Sequence, residues 1–286
     1  MKNNYIKSPL NYTGGKYKLL PQIIPIFPQN INTFVDLFGG GFNVGINIKA
    51  NKIIYNDIIP ELVNLLSDLY KTNTEECLKQ MDNTINKYTL SKTNKDGYLQ
   101  LRNDYNNGNK EWYMFYSLIC YSFNNQIEFN KNKKFNNSFG RNKSSFNPSL
   151  RNKFVMFVNE LHNKNITFLN KDFNQFEINN NLSKNDFIYC DSPYLITTTT
   201  YGRSRNNGWN ETKERELLNF LDNLNSHDIK FALSNVLENK GETNEILKEW
   251  SNKYNIHYLE NTYKNCNYQR KDKSNNTTKE VLITNY

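Results

Sequence analysis

The segment from Ile31 to Asp57 constrains the fold more than any other part of the chain. Ile31 to Phe38 reads as a buried strand and Gly39-Gly40-Gly41 as a turn. The residues through about Ala50 read as a helix, and Lys52 to Tyr55 as a second strand ending at Asn56-Asp57. Strand, glycine turn, helix, strand and closing acid is the arrangement by which a parallel sheet admits a nucleotide. Glycine lets the ligand approach the backbone, and the acid accepts from ribose hydroxyls. The turn is not the dinucleotide fingerprint, because Phe42 follows Gly41 and the next glycine is Gly45, expected inside the helix as a close-packing position. This spacing argues against NAD and admits a ligand with no pyrophosphate.

The alternation resumes later in the chain. Strands are expected at Asn165 to Leu169, leading into Asp172-Phe173, at Asp186 to Cys190, at Ile229 to Leu233 ending in Ser234-Asn235, at Ile256 to Glu260 and at Glu280 to Asn285. Helices are expected at Pro148 to Asn163, Glu211 to Leu224 and Glu242 to Ser251. Such a chain predicts an α/β fold with a mostly parallel, doubly wound sheet. Between these parts, Glu61 to Lys71, Thr74 to Tyr88, Tyr98 to Tyr105 and Glu111 to Phe123 follow helical periodicity with no strand among them. A basic, Asn-rich hairpin over 124–141 closes this block, with Lys131, Lys133, Lys134 and Arg141 on it. The expected organisation is a core over 1–58, an inserted helical domain over 59–147, and the rest of the core over 148–286.

The 286 residues suffice for a sizeable core. An excess of 36 Lys and Arg over 28 Asp and Glu gives a net charge of +8, which favours a polyanionic partner. The surplus of Asn and Lys over Gln and Arg reads as compositional bias with no functional meaning. Cys77, Cys120, Cys190 and Cys266 form no C-x-x-C pair, and His162, His227 and His257 lie far apart, so no metal site or disulfide framework is expected. The apolar-aromatic run Trp112 to Phe123 is too short for a bilayer, and no apolar leader opens the chain. A cytoplasmic protein with no membrane association is expected.

Asp191-Ser192-Pro193-Tyr194 leaves the carboxyl end of the Asp186 strand, the edge where open α/β sheets bind ligands. A carboxylate, a backbone carbonyl and an aromatic ring together suit an amino group on a flat base taken out of its stack. Asp191 accepts one amine hydrogen, the Ser192 carbonyl the other, and Tyr194 stacks. Near the start, Tyr12-Thr13-Gly14-Gly15-Lys16 places a ring and a cation around a flexible turn. Leu195 to Trp209, with Arg203 and Arg205, and Tyr263 to Lys279, with Arg270, read as basic loops.

Together these motifs resemble the Dam-type DNA adenine-N6 methyltransferases, the alpha group of amino methyltransferases, and their bacteriophage branch in particular. The resemblance rests on Tyr-Thr-Gly-Gly-Lys at 12–16, Asp-Leu-Phe-Gly-Gly-Gly at 36–41, Asn-Asp at 56–57, the Phe-Asn and Phe-Gly-Arg pieces of the hairpin, Asp-Ser-Pro-Tyr at 191–194, Leu-Ser-Asn-Val-Leu-Glu at 233–238 and the closing Glu-Val-Leu-Ile-Thr-Asn-Tyr. It implies a Rossmann-like methyltransferase core and S-adenosylmethionine as methyl donor, with no metal. Donor contacts fall on Tyr12, Gly15, Lys16, Asp36, Phe38, Gly39, Gly40, Asp57, Asp172, Phe173 and Asp191. The catalytic motif falls on Asp191, Ser192, Pro193 and Tyr194. Contacts to double-stranded DNA fall on Asn125, Glu128, Asn130, Lys131, Lys134, Arg141, Arg203, Arg205 and Arg270. A monomer, with a cognate restriction endonuclease as a possible companion, fits the family.

Three departures stand out: Ser192 replaces the usual first proline, Phe42 replaces a glycine, and Glu128 stands where GATC-reading relatives carry arginine. Arginine forks onto guanine, whereas glutamate only accepts, as from cytosine's amino group. Of GATC or an altered or relaxed version of it, the changed target is thus expected; in a shifted hairpin register Glu128 lies in solvent and Arg141 or Lys131 reads instead. Rival readings are a methyltransferase for cytosine N4, RNA adenine or protein glutamine, and a DNA-binding relative whose catalytic site has decayed.

Overall fold

The computed structural model of the chain describes residues 5–177, 182–197, 208–260 and 278–286. Arg203, Arg205, Arg270 and Cys266 lie outside the described residues. In chain order the elements are α1 (Leu20–Ile23), β1 (Ile31–Asp36), β2 (Ala50–Asn56), α2 (Pro60–Lys71), α3 (Thr74–Lys87), α4 (Lys95–Asn107), α5 (Trp112–Tyr121), α6 (Pro148–His162), β3 (Ile166–Leu169), β4 (Phe187–Cys190), α7 (Glu211–Ser226), β5 (Lys230–Asn239), β6 (Glu242–Thr243), α8 (Glu245–Ser251), β7 (Asn255–Leu259) and β8 (Thr278–Thr284). They fall into two compact units. One comprises 1–17, 40–47 and 59–170; the other comprises 18–39, 48–58 and 171–286. The whole of 59–147 belongs to the first unit, together with α6 and β3.

In the second unit the strands run β2-β1-β4-β5-β8-β7, with β6 beside β5. The pairs β2-β1, β1-β4 and β4-β5 are parallel, while β8 runs antiparallel to both β5 and β7. The sheet is therefore mostly parallel where the motifs lie. All four residues of β4 are buried, as a strand covered on both faces must be. Phe27 packs edge-on against Phe187 at 4.7 Å, and Phe34 lies 5.8 Å from the same ring. Burial of each such ring contributes about 1.5–3 kcal/mol.

In the first unit α5 is the central helix, with eight of its ten residues buried. A short helix apolar on nearly every side must be surrounded. Tyr116 stacks on Phe154 of α6 at 5.0 Å, and Phe115 stacks on Tyr105 of α4 at 5.7 Å. The hairpin hangs on this packing through Phe135, whose ring meets Phe115 edge-on at 6.0 Å. Among the described residues, no helix is long and apolar enough to cross a membrane.

Four expectations need correction. β5 runs on through Ser234-Asn235 to Asn239 instead of ending there, and Glu242-Thr243 pair with the end of β5 as β6, so the helix expected from Glu242 starts at Glu245, capped by Asn244. The helix expected through Ala50 is a single 3-10 turn, Gly45–Asn47, and Ala50 already belongs to β2. Phe42 is buried with φ at 58°, which breaks helical geometry at the start. Asn43 Oδ1 then accepts from Ser8 N at 3.1 Å and Asn47 Oδ1 from Ile6 N at 2.7 Å, so the segment pairs with the N-terminal stretch instead of coiling on itself. The hairpin over 124–141 has no continuous ladder. It is held by two isolated bridges, Ser122 to Phe139 and Phe129 to Phe135, because Asn124 and Asn125 both take positive φ and interrupt any strand.

At the amino ends of β1 and β4 the carboxylate of Asp186 ties the strands together. Its Oδ1 accepts from Thr33 N at 2.7 Å and Asn32 Nδ2 at 3.0 Å; its Oδ2 accepts from Ser183 N at 2.6 Å and Ser183 Oγ at 3.0 Å. Burial alone raises such a pKa, but these donors outweigh it and hold the carboxyl below its ordinary value. Because the folded pKa is depressed, the stabilisation is complete above the unfolded carboxylate pKa of about 3.9 and is lost as pH falls through the folded value. Asp186→Asn is expected to lower stability by about 1–3 kcal/mol at neutral pH in urea titrations, with the gap to the parent narrowing below about pH 4.

Candidate active site

The parallel register gathers the functional edge of the second unit. Asp36 pairs with Tyr55 of β2 and with Tyr189 of β4, so Asp36, Asn56-Asp57 and Asp191 all leave the sheet at the same carboxyl edge. Asn56 fastens this edge. Its side-chain amide donates to Leu37 O at 2.9 Å and Lys171 O at 3.0 Å, its Oδ1 accepts from Lys171 N at 3.1 Å, and its carbonyl accepts from Gly39 N at 2.8 Å. Gly39 is required where it stands: a Cβ would lie 2.3 Å from the ring of the buried Tyr55. Asp36 and Asp57 are both buried.

On the loops so fastened, three rings meet. Phe38 lies 5.6 Å from Phe173 and 5.8 Å from Trp209, and Phe173 lies 5.7 Å from Trp209. Phe173 is buried at the base, while Phe38 and Trp209 are half-buried. Asp172 caps the turn Phe173–Gln175 and pairs with Lys213 at 3.4 Å.

After β4, Tyr194 turns back on the strand end. Its hydroxyl lies 3.0 Å from Asp191 Oδ1 and 3.3 Å from Glu280 Oε1 on β8. Burial, reinforced by these two carboxylates, pushes the Tyr194 phenol well above its ordinary value, so it stays protonated at neutral pH and cannot serve as a base. Ser192 is buried, and its Oγ has no hydrogen-bond partner among the described residues. Tyr189 and Ser234 share a hydrogen bond at 2.7 Å beneath the motif, joining β4 to β5.

In the first unit the ring of Tyr12 lies against the glycine turn. A Cβ on Gly40 would stand 2.8 Å from Tyr12 Cε1, and one on Gly41 3.0 Å from Tyr12 Cβ. Gly15 N closes the turn onto Tyr12 O at 3.2 Å, and the buried Lys16 donates to Gly14 O at 2.8 Å. Asn11 ties this loop to the hairpin, donating to Asn124 O at 2.7 Å.

Several of the hairpin polar groups have internal partners. Asn125 Nδ2 donates to Cys120 O at 2.7 Å and Ile119 O at 3.3 Å, closing the end of α5. Asn130 Oδ1 accepts from Asn132 N and Lys134 N, forming the turn, and Lys134 Nζ donates to Asn107 at 2.8 Å. Lys131, Lys133 and Arg141 are exposed, and Glu128 is half-buried, its carbonyl accepting from Asn136 N at 2.8 Å.

Reading the sequence alone missed the contact of Glu280 with Tyr194, the burial of Glu214, and the packing of Trp209 against Phe38 and Phe173. Glu280 had a signal, an acid opening an otherwise apolar strand. Glu214 had another: it sits three, four and seven residues before Leu217, Leu218 and Leu221, on the apolar face of α7. It is fully buried, and burial raises its pKa against the opposing effect of its hydrogen bonds. The three histidines are satisfied locally: His162 on Leu69 O, His227 on Asn223 O and His257 on Thr284. Among the described residues no group of three or more His, Cys, Asp or Glu is placed to hold a metal.

A mostly parallel sheet with acids and aromatic rings at one carboxyl edge is the Rossmann-like arrangement that methyltransferases share. Residues 12–265 match the family model described as D12 class N6 adenine-specific DNA methyltransferase, and the chain belongs to that family. It is 51% identical over 290 residues to the type II methyltransferase M.FokI of Planomicrobium okeanokoites, covering 99% of this chain and 43% of that protein. It is 48% identical to the modification methylase StsI of Streptococcus sanguinis, again covering 99% of this chain and 43% of the relative. The chain therefore spans less than half the length of these two relatives. A DNA adenine methylase of Haemophilus influenzae is 25% identical over 239 residues, 78% of this chain and 80% of that protein.

Asn56→Ala removes the acceptor for the Lys171 amide and both side-chain donors. With each bond contributing about 0.5–1.5 kcal/mol, hydrogen exchange at Lys171 is expected to quicken about tenfold, while amides of α5 in the first unit keep their parental rates.

Proposed function

We propose that this chain transfers a methyl group from S-adenosylmethionine to the N6 amino group of an adenine flipped out of double-stranded DNA, within a specific sequence. The observation that supports this most directly is the Asp191-Ser192-Pro193-Tyr194 turn at the carboxyl end of β4, with the Tyr194 ring folded back beside the Asp191 carboxylate. Adenine's amino nitrogen is a poor nucleophile because its lone pair is delocalised into the ring. Asp191 and the Ser192 carbonyl accept hydrogen bonds from its two N–H groups and favour a pyramidal nitrogen, which frees the lone pair for in-line attack; as the nitrogen–methyl bond forms the sulfur–methyl bond breaks, S-adenosylhomocysteine leaves, and the nitrogen loses one proton on the Asp191 side. Tyr194 stacks on the base, and alignment supplies much of the rate.

The donor fits the residues present: a half-buried aromatic pair for an adenine ring, and a buried acid, Asp57, at the end of β2 for ribose hydroxyls. Tyr12, Gly15, Lys16, Asp36, Phe38, Gly39, Gly40, Asp57, Asp172 and Phe173 are the donor-binding set in this reading. When bound, the donor supplies an electrophilic methyl on a sulfonium, so no metal enters the reaction. Lys131, Lys134 and Arg141 hold phosphates or bases, and the target is GATC or an altered or relaxed version of it, the altered version being favoured by Glu128 in place of a guanine-reading arginine. The enzyme acts in the cytoplasm as a monomer on DNA. The modification methylases among its relatives further suggest a companion endonuclease.

The test is incubation of purified protein with S-adenosylmethionine and unmethylated genomic DNA, followed by single-molecule sequencing. N6-methyladenine in one recurrent motif supports the reading and reports the target. Methyl on cytosine N4 or on RNA alone, or none with donor bound, would replace it with a rival substrate or a decayed relative. Asp191→Ala is expected to cut transfer at least about a hundredfold while DNA binding stays measurable; retained activity would remove Asp191 from its role. Lys131→Ala and Arg141→Ala are each expected to weaken DNA binding and to lower the salt slope of log K by about one, read from filter binding over a salt series.

A further inference from the structure

Glu214 is a fully buried carboxylate that takes no direct part in the chemistry above, and its surroundings on α7 are unusual. Its Oε2 accepts from the indole N–H of Trp209 at 2.7 Å, and its Oε1 accepts from Asn235 Nδ2 at 3.1 Å and Asn244 Nδ2 at 3.0 Å. Three donors from three separate segments thus converge on one acid: the stretch before α7, the middle of β5 and the start of α8. Asn235 and Asn244 are themselves buried. A buried charge is costly unless it is fully hydrogen-bonded, so an apolar residue here would give a simpler core. What the acid adds is a fixed direction for the Trp209 indole, pinned by its single N–H.

The indole so held stands edge-on to Phe38 and tilted to Phe173. Phe173 is buried beneath, with Lys213 5.3 Å over its ring, and forms the floor of this cluster. The half-buried rings above it are those of Phe38, which follows the end of β1, and of Trp209. Two rigid, half-buried aromatic rings at right angles form a corner that accepts a flat heteroaromatic ring, stacked on one and bordered by the other.

We propose that Trp209 is a binding residue for the adenine of the methyl donor, and that Glu214 is the positioning residue that fixes its indole. This rests on the donor named above and adds two residues to its site. The carboxylate is needed because it accepts on both oxygens. In Glu214→Gln the amide nitrogen faces either the indole N–H or the two asparagine amides, donor against donor, and the indole loses its fixed plane.

The experiment uses the full chain and S-adenosylhomocysteine or adenosine as probes, followed by calorimetry and by tryptophan emission. Trp209→Ala is expected to raise the Kd of both probes by roughly tenfold to a hundredfold, as loss of a base-stacking ring does. Trp209→Phe and Glu214→Gln should give smaller rises, and the emission change on binding should vanish in Trp209→Phe. Trp250→Phe, whose indole donates to Asp222 on the outer part of α7, serves as control and should bind as the parent does. Parental affinity in Trp209→Ala, with the emission change intact in Trp209→Phe, overturns the proposal and leaves methyl transfer standing. Binding that depends on Trp209 with no methyl reaching any nucleic acid upholds the proposal and sinks the transfer reading. No binding of either probe by the parent overturns both. Should Glu214→Gln fail to fold, the two Trp209 variants carry the test alone.

Discussion

The carboxamide of Asn56 is the joint on which the functional edge depends. Parallel strands bring their carboxyl ends together, but the loops that follow have no ladder to hold them. Asn56 supplies that ladder with one side chain, engaging the chain after β1 and the chain before Phe173 simultaneously. At the opposite end of the sheet Asp186 does the corresponding work for β1 and β4. Register is thereby fixed at both ends, and the acids and rings of the edge inherit their places from it.

Much of this architecture was legible because it follows from period and punctuation. The all-buried β4 shows as a continuous apolar run, the helices of the first unit show as 3.6-residue patterns, and the carboxyl-edge acids follow each strand directly. The segment after Gly41 was not legible. Its glycine turn invites a helix, and only tertiary partners for Asn43 and Asn47, some 35 to 41 residues away in sequence, decide otherwise. The gathering of Asp36, Asp57 and Asp191 at one sheet edge was legible through their motifs, whereas the contact between Trp209 and Glu214 was not. A tryptophan in a polar loop and a glutamate in a leucine-rich helix look unrelated until the fold puts one against the other.

The helical unit shows how aromatic residues replace aliphatic ones as filler. Tyr105, Phe115, Tyr116, Phe135 and Phe154 are nearly fully buried, and ring against ring supplies shape that a leucine core would supply by interdigitation. The hairpin needs little regular pairing because its apolar anchor, Phe135, is buried in that aromatic core and its turn is closed by Asn130. Exposed lysines and Arg141 then project from a segment whose backbone is fixed from beneath.

The surplus of asparagine reads as bias in composition, yet Asn73, Asn94, Asn147, Asn210 and Asn244 each cap the amino end of a helix, accepting from a backbone amide. Aspartate would cap as well, but its charge would make helix ends sensitive to ionic strength and to acid. Neutral caps respond to neither. In a chain with net charge +8, any hold on a polyanion would therefore be loosened by added salt while these five helix starts stay closed, and salt would become a dial that turns association without turning the fold.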